Sequence, residues 1–430
     1  MNSGPVRIGV LGCGNVGAAL VRLIVERREA ILARTGIDLL VTRIAVRDVT
    51  KARPGIDPTL FRADPSEVVA SPDVDIVVEL IGGIQPAKSL ILEAIKLGKP
   101  TITGNKELLA NEGAEMFSAA DSAGVDLLFE AAVAGGIPLI RPLRESLVGE
   151  DVTRVMGIVN GTTNYILTKM TEEGSSYTDA LAEAQALGYA EADPTADVEG
   201  FDAAAKAAII ASMAFGRRVV ASDVHREGIS TITAADIAFA KKLGYVIKLL
   251  AVAEEVGGES RQLSVRVHPV MLPGSHPLAS VRDAFNAVFI EGRAVGQLMF
   301  YGRGAGGQPT ASAVLGDIID AAVNLRKETH GSIGTFSPVV LASIDDLNSE
   351  YHLNIEVNDQ PGVLAAVANV FGTHNVSIRS MEQEGLGAAA RIVFITHIAM
   401  ERDIQACLGA LRKLPSVARI GTVLRVIGPS

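Results

Sequence analysis

One segment of the chain combines closely spaced carboxylates with a lysine. Between Tyr189 and Lys206 the sequence reads YAEADPTADVEGFDAAAK, with five carboxylates inside twelve residues ahead of the lysine. Neither the alternation nor the glycine position of a helix-loop-helix calcium loop is present. On a helix that begins near Asp202, Asp202 and Lys206 are four residues apart and share one face. The segment could therefore serve metal binding, charge pairing or catalysis.

The surroundings of Asp202 and Lys206 are apolar. Residues 203–205 and 207–210 are alanine and isoleucine. An ion pair exposed on a helix surface is the alternative interpretation, but a solvent-facing helix carries polar residues on that side. We therefore expect a buried and functional pair.

Lys106, in the segment TITGNKE, follows a strand predicted at 100–103. An isolated lysine in a loop is usually only solvated. The carboxyl edge of an open parallel sheet, however, is where ligands bind. A desolvated lysine there could orient a carbonyl group, stabilise developing negative charge or relay a proton.

Glu130 is the one carboxylate of an apolar, glycine-rich bend, FEAAVAGGIP, which runs from Phe129 to Pro138. Together with backbone carbonyl groups it could bind a hard cation through oxygen. A purely structural turn explains the same residues, and the sequence leaves both interpretations open.

The elements that must position these residues begin with a glycine turn. VLGCGNVG, from Val10 to Gly17, lies between an apolar strand predicted at 6–11 and a helix predicted at 18–34. In a GxGxxG turn the first glycine permits the tight turn, the second admits a pyrophosphate and the third allows close helix packing. The helix N-terminus then faces the anion. The turn predicts a dinucleotide site whose contacts are Gly12, Gly14, Asn15, Val16 and Gly17.

The end of the second strand distinguishes the two nicotinamide cofactors. An acidic side chain there accepts a hydrogen bond from the ribose 2′-hydroxyl, whereas an arginine pairs with a 2′-phosphate. A strand predicted at 44–46 ends in Arg47 and then Asp48. Arg47 favours NADP, and Asp48 keeps NAD possible.

The order of predicted elements indicates three parts. Short apolar strands alternate with helical segments through the first third, which is typical of a doubly wound parallel sheet. From Leu139 the pattern becomes mixed α+β. After GRGAGGQPTA (302–311) a helix is predicted to return to the first domain with its N-terminus beside the cofactor, although a flexible joint is the alternative. Beyond residue 350 the pattern is βαββαβ, that of a small ferredoxin-like sandwich.

We therefore predict an α/β protein with an N-terminal Rossmann-type doubly wound sheet. An α+β substrate and oligomerisation domain and a C-terminal ferredoxin-like domain follow. The predicted boundaries are 1–138 for the dinucleotide-binding domain, completed by helix 305–328, then 139–304 for the substrate domain, 329–349 for a linker and 350–430 for the last domain.

Composition excludes several classes of protein. A formal net charge of −10 and a pI near 5.3 disfavour nucleic acid as a partner. No stretch of 18 uncharged apolar residues suggests a membrane span, and the first residues hold no export signal, so we expect a cytoplasmic protein. Cys13 and Cys407, far apart and in apolar surroundings, indicate neither a disulfide framework nor a metal cluster.

Seven segments follow one another along the chain in the order of a known family. They are GCGNVG from Gly12, TGNK from Thr103, EAAVAGGIP from Glu130, NGTTNYIL from Asn160, EADP from Glu191, GFDAAAK from Gly200 and GAGGQPT from Gly304. Together they resemble the homoserine dehydrogenases. The resemblance implies NAD(P)-dependent interconversion of L-homoserine and L-aspartate 4-semialdehyde in threonine, methionine and isoleucine biosynthesis.

The resemblance also implies roles for individual residues. Glu191 and Asp202 would hold the amino group and hydroxyl of the substrate. Lys206 would donate the proton, and Lys106 would be a second active-site lysine that contacts substrate and nicotinamide; either could supply the proton. The remaining implied sites are a sodium ion on Glu130 with the backbone carbonyls of Val133, Gly135 and Ile137, and backbone contacts of Gly188 and Gly306 to the cofactor.

The last domain resembles an ACT domain through DQPGVL, from Asp359 to Leu364. The resemblance implies an amino-acid effector at a subunit interface, with threonine as the natural choice, and so a homodimer or homotetramer. Two other functions remain alternatives: a reductase of a different semialdehyde on the same scaffold, and a sensor that has lost turnover. The presence of Lys106, Glu191, Asp202 and Lys206 argues against the sensor.

Overall fold

The computed structural model describes residues 4–258, 261–332, 334, 336–385 and 389–427. The chain divides into two compact units, and it passes between them several times. The first unit contains Met1–Val155, Asp202–Val224 and Phe285–Val339, and the second contains Met156–Phe201, His225–Ala284 and Val340–Ser430.

The strands are, in chain order, β1 (Val6–Leu11), β2 (Leu39–Ala45), β3 (Phe61–Arg62), β4 (Ile76–Glu79), β5 (Thr101–Thr103), β6 (Leu127–Leu128), β7 (Val152–Ile158), β8 (His225–Arg226), β9 (Tyr245–Val256), β10 (Gln262–Pro273), β11 (Phe285–Gly292), β12 (Gly296–Arg303), β13 (Asn348–Asn358), β14 (Ile378–Gly385), β15 (Ala389–Thr396), β16 (Ala399–Met400) and β17 (Val417–Val426). The α-helices are α1 (Asn15–Thr35), α2 (Pro65–Ala70), α3 (Ala87–Lys96), α4 (Lys106–Ala123), α5 (Gly161–Glu173), α6 (Tyr177–Ala186), α7 (Thr195–Val198), α8 (Phe201–Phe215), α9 (Ala234–Lys242), α10 (Gly307–Lys327), α11 (Val363–Thr373) and α12 (Glu401–Leu411).

A six-stranded parallel sheet forms the centre of the first unit, in the order β3-β2-β1-β4-β5-β6. Its central strands β1 and β4 are mostly apolar and buried, as expected for a parallel sheet covered on both faces, and their polar residues are the half-buried Arg7 and the buried Glu79. The order reverses direction between β1 and β4, which is the doubly wound arrangement. The carboxyl ends of β1, β4 and β5 therefore lie side by side at one edge of the sheet.

The glycine turn between β1 and α1 is closely packed. Gly12 has a φ of +97°, and a Cβ atom there would lie 2.6 Å from the carbonyl oxygen of Leu80. A Cβ on Gly17 would lie 2.2 Å from the carbonyl oxygen of Gly12. Around the ideal Cβ position of Gly14, by contrast, no atom other than those of Gly14 and its two chain neighbours lies within 4 Å. The packing therefore requires glycine at the first and third positions and leaves the second open on its outer side.

The long helix α10 packs against α1 in the core of the first unit. Ala311, Val314 and Ile318 are fully buried there together with Ile8 of β1. The helix begins at Gly307, two residues after the start of the predicted helix 305–328. Within the same unit β11 and β12 form an antiparallel hairpin.

The second unit contains a sheet with the order β9-β10-β17-β13-β15-β14. Its last four strands, with α11 and α12, form the βαββαβ arrangement predicted for the C-terminal module. The sheet of this module continues into β10, because β17 pairs in parallel with β10 at Val270↔Arg425 and Met271↔Val426. This pairing covers an edge strand that an isolated module would leave exposed.

The segment predicted as a linker also makes contacts. Residues 333 and 335 of that segment lie outside the described part of the chain, but Leu341 forms a bridge with Leu263 of β10, and Ile344–Asp346 forms a single 3₁₀ turn. Among the described residues, no helix combines the length and the apolarity that crossing a bilayer requires.

Candidate active site

Three charged side chains meet in the first unit around the start of α8. Asp202 lies in the first turn of this helix, and its side chain is only 6% exposed. The ammonium group of Lys206 lies 2.7 Å from Oδ2 of Asp202, and that of Lys106 pairs with Oδ1. The carboxylate therefore holds one lysine on each of its oxygens.

Local sequence explains how each partner reaches this point. Asp202 and Lys206 are one helical turn apart on α8, and most of the alanine and isoleucine side chains of this helix are buried. Lys106 is the first residue of α4 and follows β5 at the carboxyl edge of the parallel sheet. The pair predicted to share a helix face does so, and Lys106, 96 positions earlier in the chain, joins it.

The electrostatics of the cluster favour an ionised carboxylate. Burial acts to raise the pKa of Asp202, but the charges and hydrogen bonds of Lys206 and Lys106 outweigh burial and hold the pKa well below its usual range. The side chain of Lys206 is 12% exposed and that of Lys106 is 45% exposed. The cluster carries one net positive charge, which suits an oxygen atom that gains negative charge or takes up a proton.

Glu191 and Gly188 belong to the second unit, in the loop between α6 and α7. The side chain of Glu191 is exposed, and its backbone carbonyl accepts a hydrogen bond from Nε2 of Gln185 at 2.9 Å. Gly188 has a φ of +76° and ends the helical turn after α6. The roles expected for these two residues stay predictions.

Two helix N-termini meet at the glycine turn. Asn15 begins α1, and a Cβ on Gly307, the first residue of α10, would lie 2.8 Å from its side-chain oxygen. Gly306, with a φ of +124°, precedes α10 directly. The N-terminal ends of both helices point partial positive charge at this place. Gly14, open on its outer side, lies in the same turn, so the geometry can accept an anionic group.

The loop after β2 carries Arg47 and Asp48. Oδ1 of Asp48 accepts hydrogen bonds from the backbone N–H and the hydroxyl of Thr50, at 2.9 and 2.6 Å. The hydroxyl contact and then the backbone contact lower the pKa of Asp48. Arg47 is exposed. Arg53 donates to the carbonyl oxygen of Cys13 at 3.1 Å and so ties this loop to the glycine turn.

The Glu130 carboxylate caps the helix that follows it. The backbone N–H groups of Leu139, Ile140 and Arg141 donate to its two oxygens, those of Ile140 and Arg141 at 2.8 Å. Its side chain is therefore committed to the start of the helical turns that lead into Pro142–Ser146. In the part of the chain that the structure describes, no group of three or more His, Cys, Asp or Glu residues is arranged to hold a metal.

Glu79, a buried carboxylate at the end of β4, is not among the residues predicted from the sequence. The sequence does single it out, because VVELIGG places one acid at the end of an otherwise apolar strand. A buried charge is costly unless it is hydrogen-bonded, so such a residue indicates a structural or functional demand.

Comparison with known proteins identifies the family of the chain. The family described as homoserine dehydrogenase matches residues 138–319, its NAD-binding domain matches 12–130, and the ACT domain matches 351–416. Homoserine dehydrogenase of Corynebacterium glutamicum is 49% identical over 427 residues, covering 98% of this chain and 95% of that protein. That of Mycobacterium tuberculosis is 52% identical over 364 residues, covering 83% and 82%.

Solved structures of the same family have a similar fold. A homoserine dehydrogenase from Thiobacillus denitrificans superposes with a TM-score of 0.93 at 38% identity, covering 99% of this chain and 98% of that one. A hyperthermophilic archaeal homoserine dehydrogenase in complex with NADPH has a TM-score of 0.63 at 29% identity, covering 74% and 98%. The predicted α/β fold class, with a Rossmann-type sheet and a C-terminal ACT domain, is confirmed.

The buried cluster predicts how stability depends on pH. Asp202→Asn should lower the free energy of unfolding by about 2 to 3 kcal/mol at neutral pH, because the lysines lose their shared carboxylate. The folded pKa of Asp202 lies below its unfolded value, so this difference persists above about pH 4 and shrinks as the pH falls further. Urea unfolding of both proteins between pH 3 and 8 measures it.

Glu107→Gln is the matched control, because Glu107 is an exposed carboxylate beside Lys106. Its effect on the free energy of unfolding should stay within about 0.5 kcal/mol at each pH. A difference between wild type and Asp202→Asn that widens on acidification would contradict the assigned pKa direction.

Proposed function

The chain belongs to the homoserine dehydrogenase family, and we propose that it reduces L-aspartate 4-semialdehyde to L-homoserine and catalyses the reverse oxidation. The observation that carries the proposal is the cluster of Lys106, Asp202 and Lys206 at the edge of a Rossmann-type sheet. The product would feed threonine, methionine and isoleucine synthesis. A cytoplasmic location stays a prediction.

The cluster can supply the proton that this reduction needs. A bound nicotinamide supplies the hydride to the carbonyl carbon. The carbonyl oxygen then gains negative charge, which an ammonium group stabilises and neutralises by giving up a proton. We assign this proton to Nζ of Lys206, the more buried lysine, with Lys106 as the alternative donor. Asp202 keeps both ammonium groups oriented and would contact the substrate, with Glu191 as a second substrate contact.

Lys206→Ala tests the assignment. The turnover number should fall by about 100-fold or more, because the oxygen loses its proton donor. Oxidation of NADPH by aspartate semialdehyde, followed by absorbance, measures this, and the far-ultraviolet circular dichroism should match wild type.

Lys88→Ala is the control, because Lys88 forms surface ion pairs with Glu112 and Glu115 in the same unit. It should leave turnover within twofold of wild type. Near-normal turnover of Lys206→Ala would remove Lys206 from the mechanism, and a larger loss in Lys106→Ala would transfer the proton-donor role to Lys106.

We propose NADP as the preferred cofactor, with NAD as the alternative. The support is the loop after β2, where one oxygen of Asp48 is engaged by Thr50 and Arg47 is exposed beside it. The cofactor would lie on the glycine turn, with Gly12, Gly14, Asn15, Val16 and Gly17 against the pyrophosphate and further backbone contacts from Gly188 and Gly306.

Arg47→Ala should raise the KM for NADPH about tenfold and leave the KM for NADH within twofold, because only the 2′-phosphate loses a charge partner. Steady-state kinetics with each cofactor measure the two values. Arg34→Ala, an exposed arginine in the last turn of α1, should change neither. Equal increases for both cofactors would overturn the assignment.

We propose a sodium ion in the bend after β6. Val133, Gly135 and Ile137 are buried, and no hydrogen bond among the described residues ends on their carbonyl oxygens. Buried carbonyl groups need a partner, and a hard cation with oxygen ligands is a suitable one. Glu130 would add its backbone carbonyl. The ion would stabilise the bend, and it takes no part in proton transfer.

We propose threonine as an effector of the ACT domain, at the interface of a homodimer or homotetramer. Gly362 of the DQPG turn adopts a φ of +89° and directly precedes α11, so the segment has the strand, turn and helix order of the expected effector site. Binding of an end product there would couple to the active site only if the two states of the enzyme bind it with different affinities.

L-Threonine at saturating concentration should lower NADPH oxidation at least twofold and raise the melting temperature of the full-length enzyme, since a ligand that binds the native state stabilises it. D-Threonine is the control and should do neither. If L-threonine changed neither the melting temperature nor the rate of NADPH oxidation, the proposal would be contradicted.

A further inference from the structure

Glu79 ends β4 in the middle of the parallel sheet and is fully buried. Its neighbours in the register are Leu11 at the end of β1 and Thr103 at the end of β5. The strand before it is entirely apolar. A carboxylate at such a position is stable only if hydrogen-bond donors replace the water it has lost.

The donors to Glu79 come from the loop after β4 and from the last residue of β5. Its Oε1 accepts the backbone N–H groups of Ile81 and Gly82, at 2.7 and 3.0 Å. Its Oε2 accepts the hydroxyl of Thr103 at 2.6 Å. Among the described residues, no lysine, arginine or histidine forms an ion pair with it. The carboxylate therefore joins the loop after β4 to the end of β5 through hydrogen bonds alone.

The hydrogen bonds continue to the start of α4 and return to the first loop. The hydroxyl oxygen of Thr103 accepts the backbone N–H of Asn105 at 3.1 Å. The side chain of Asn105 caps α4 by accepting the N–H of Leu108 at 3.1 Å, and its amide group donates to the carbonyl of Gly83 at 2.6 Å. The ring closes because Gly83 follows the segment that Glu79 holds.

Lys106 is the next residue after Asn105, so this ring holds its backbone. The side chain of Lys106 is long and 45% exposed, and its tip is held by Asp202. A flexible side chain reaches a defined point only if its Cα atom is also defined. The ring of hydrogen bonds through Glu79, Thr103, Asn105 and Gly83 fixes the position of this Cα atom from the interior of the sheet.

We infer that Glu79 is a positioning residue for Lys106, acting through Thr103 and Asn105. The inference rests on the proposed function, in which Lys106 contacts substrate and nicotinamide. Glu79 itself touches neither, because it lies fully buried beneath the loop after β4 and the end of β5.

Glu79→Gln disturbs one branch of the ring. Glutamine keeps an oxygen for the N–H groups of Ile81 and Gly82 but presents an amide group to Thr103, whose hydroxyl then lacks its acceptor. NADPH titration by fluorescence should give a dissociation constant within threefold of wild type. Turnover per NADPH-binding site should fall about tenfold to a hundredfold, because small displacements of reacting groups slow the chemical step.

Substitutions of Thr103 give an independent measurement if Glu79→Gln folds poorly. Thr103→Val removes the hydroxyl and should reproduce the loss of turnover, and Thr103→Ser restores it to within threefold of wild type. Combining Glu79→Gln with Thr103→Val should cost no more than the worse single change, since both break one hydrogen bond. Thr101→Val is the matched control, because Thr101 is buried in the same strand and its hydroxyl donates to the backbone carbonyl of Lys99, outside the ring.

Several results would overturn the inference. Turnover per NADPH-binding site within twofold of wild type for both Glu79→Gln and Thr103→Val would do so, as would a Thr103→Ser enzyme as slow as Thr103→Val. A merely structural role would lower the number of NADPH-binding sites and leave turnover per site unchanged. Wild-type enzyme that does not turn over aspartate semialdehyde would overturn the proposed function and this inference with it.

Discussion

A single buried carboxylate that pairs with two lysines holds the candidate active site together. Asp202 would be unstable in its apolar surroundings without positive charge, and neither lysine would have a defined position without Asp202. The two ion pairs bring the start of α4 to the start of α8 within the first unit. Their net charge of one positive unit is what a carbonyl oxygen needs when it becomes an alkoxide.

The same demand, that a buried acid must find partners, shapes the rest of the first unit. Glu79 and Glu130 are both satisfied mainly by backbone N–H groups, so each holds a loop in place. Asp317 of α10 accepts the N–H of Glu130 and pairs with Arg141. Burial raises the pKa of Asp317 to about 7, helped by the charge of Glu130 and opposed by the Glu130 N–H and by Arg141. Different partners therefore give buried acids of one unit very different proton affinities.

Features that depend on neighbouring residues could be predicted from the sequence. The glycine turn was identified because its glycines occur at the spacing that a strand-to-helix turn requires, and Gly12 and Gly17 are as closely packed as that turn demands. Asp202 and Lys206 were paired correctly because four residues make one helical turn. The βαββαβ order of the C-terminal module followed from alternating hydrophobicity. The family comparison confirms that this module is an ACT domain.

Features that depend on packing between distant segments could not be predicted in this way. The sequence determined which elements form and which residues share a helix face, because backbone periodicity sets those relations locally. Only the tertiary structure decided that Lys106 would pair with Asp202, that Glu130 would cap a helix with its carboxylate, and that β17 would continue a sheet into β10. Each of these contacts joins residues that the chain separates, and it forms where burial leaves a charge or a strand edge that only a distant partner can satisfy.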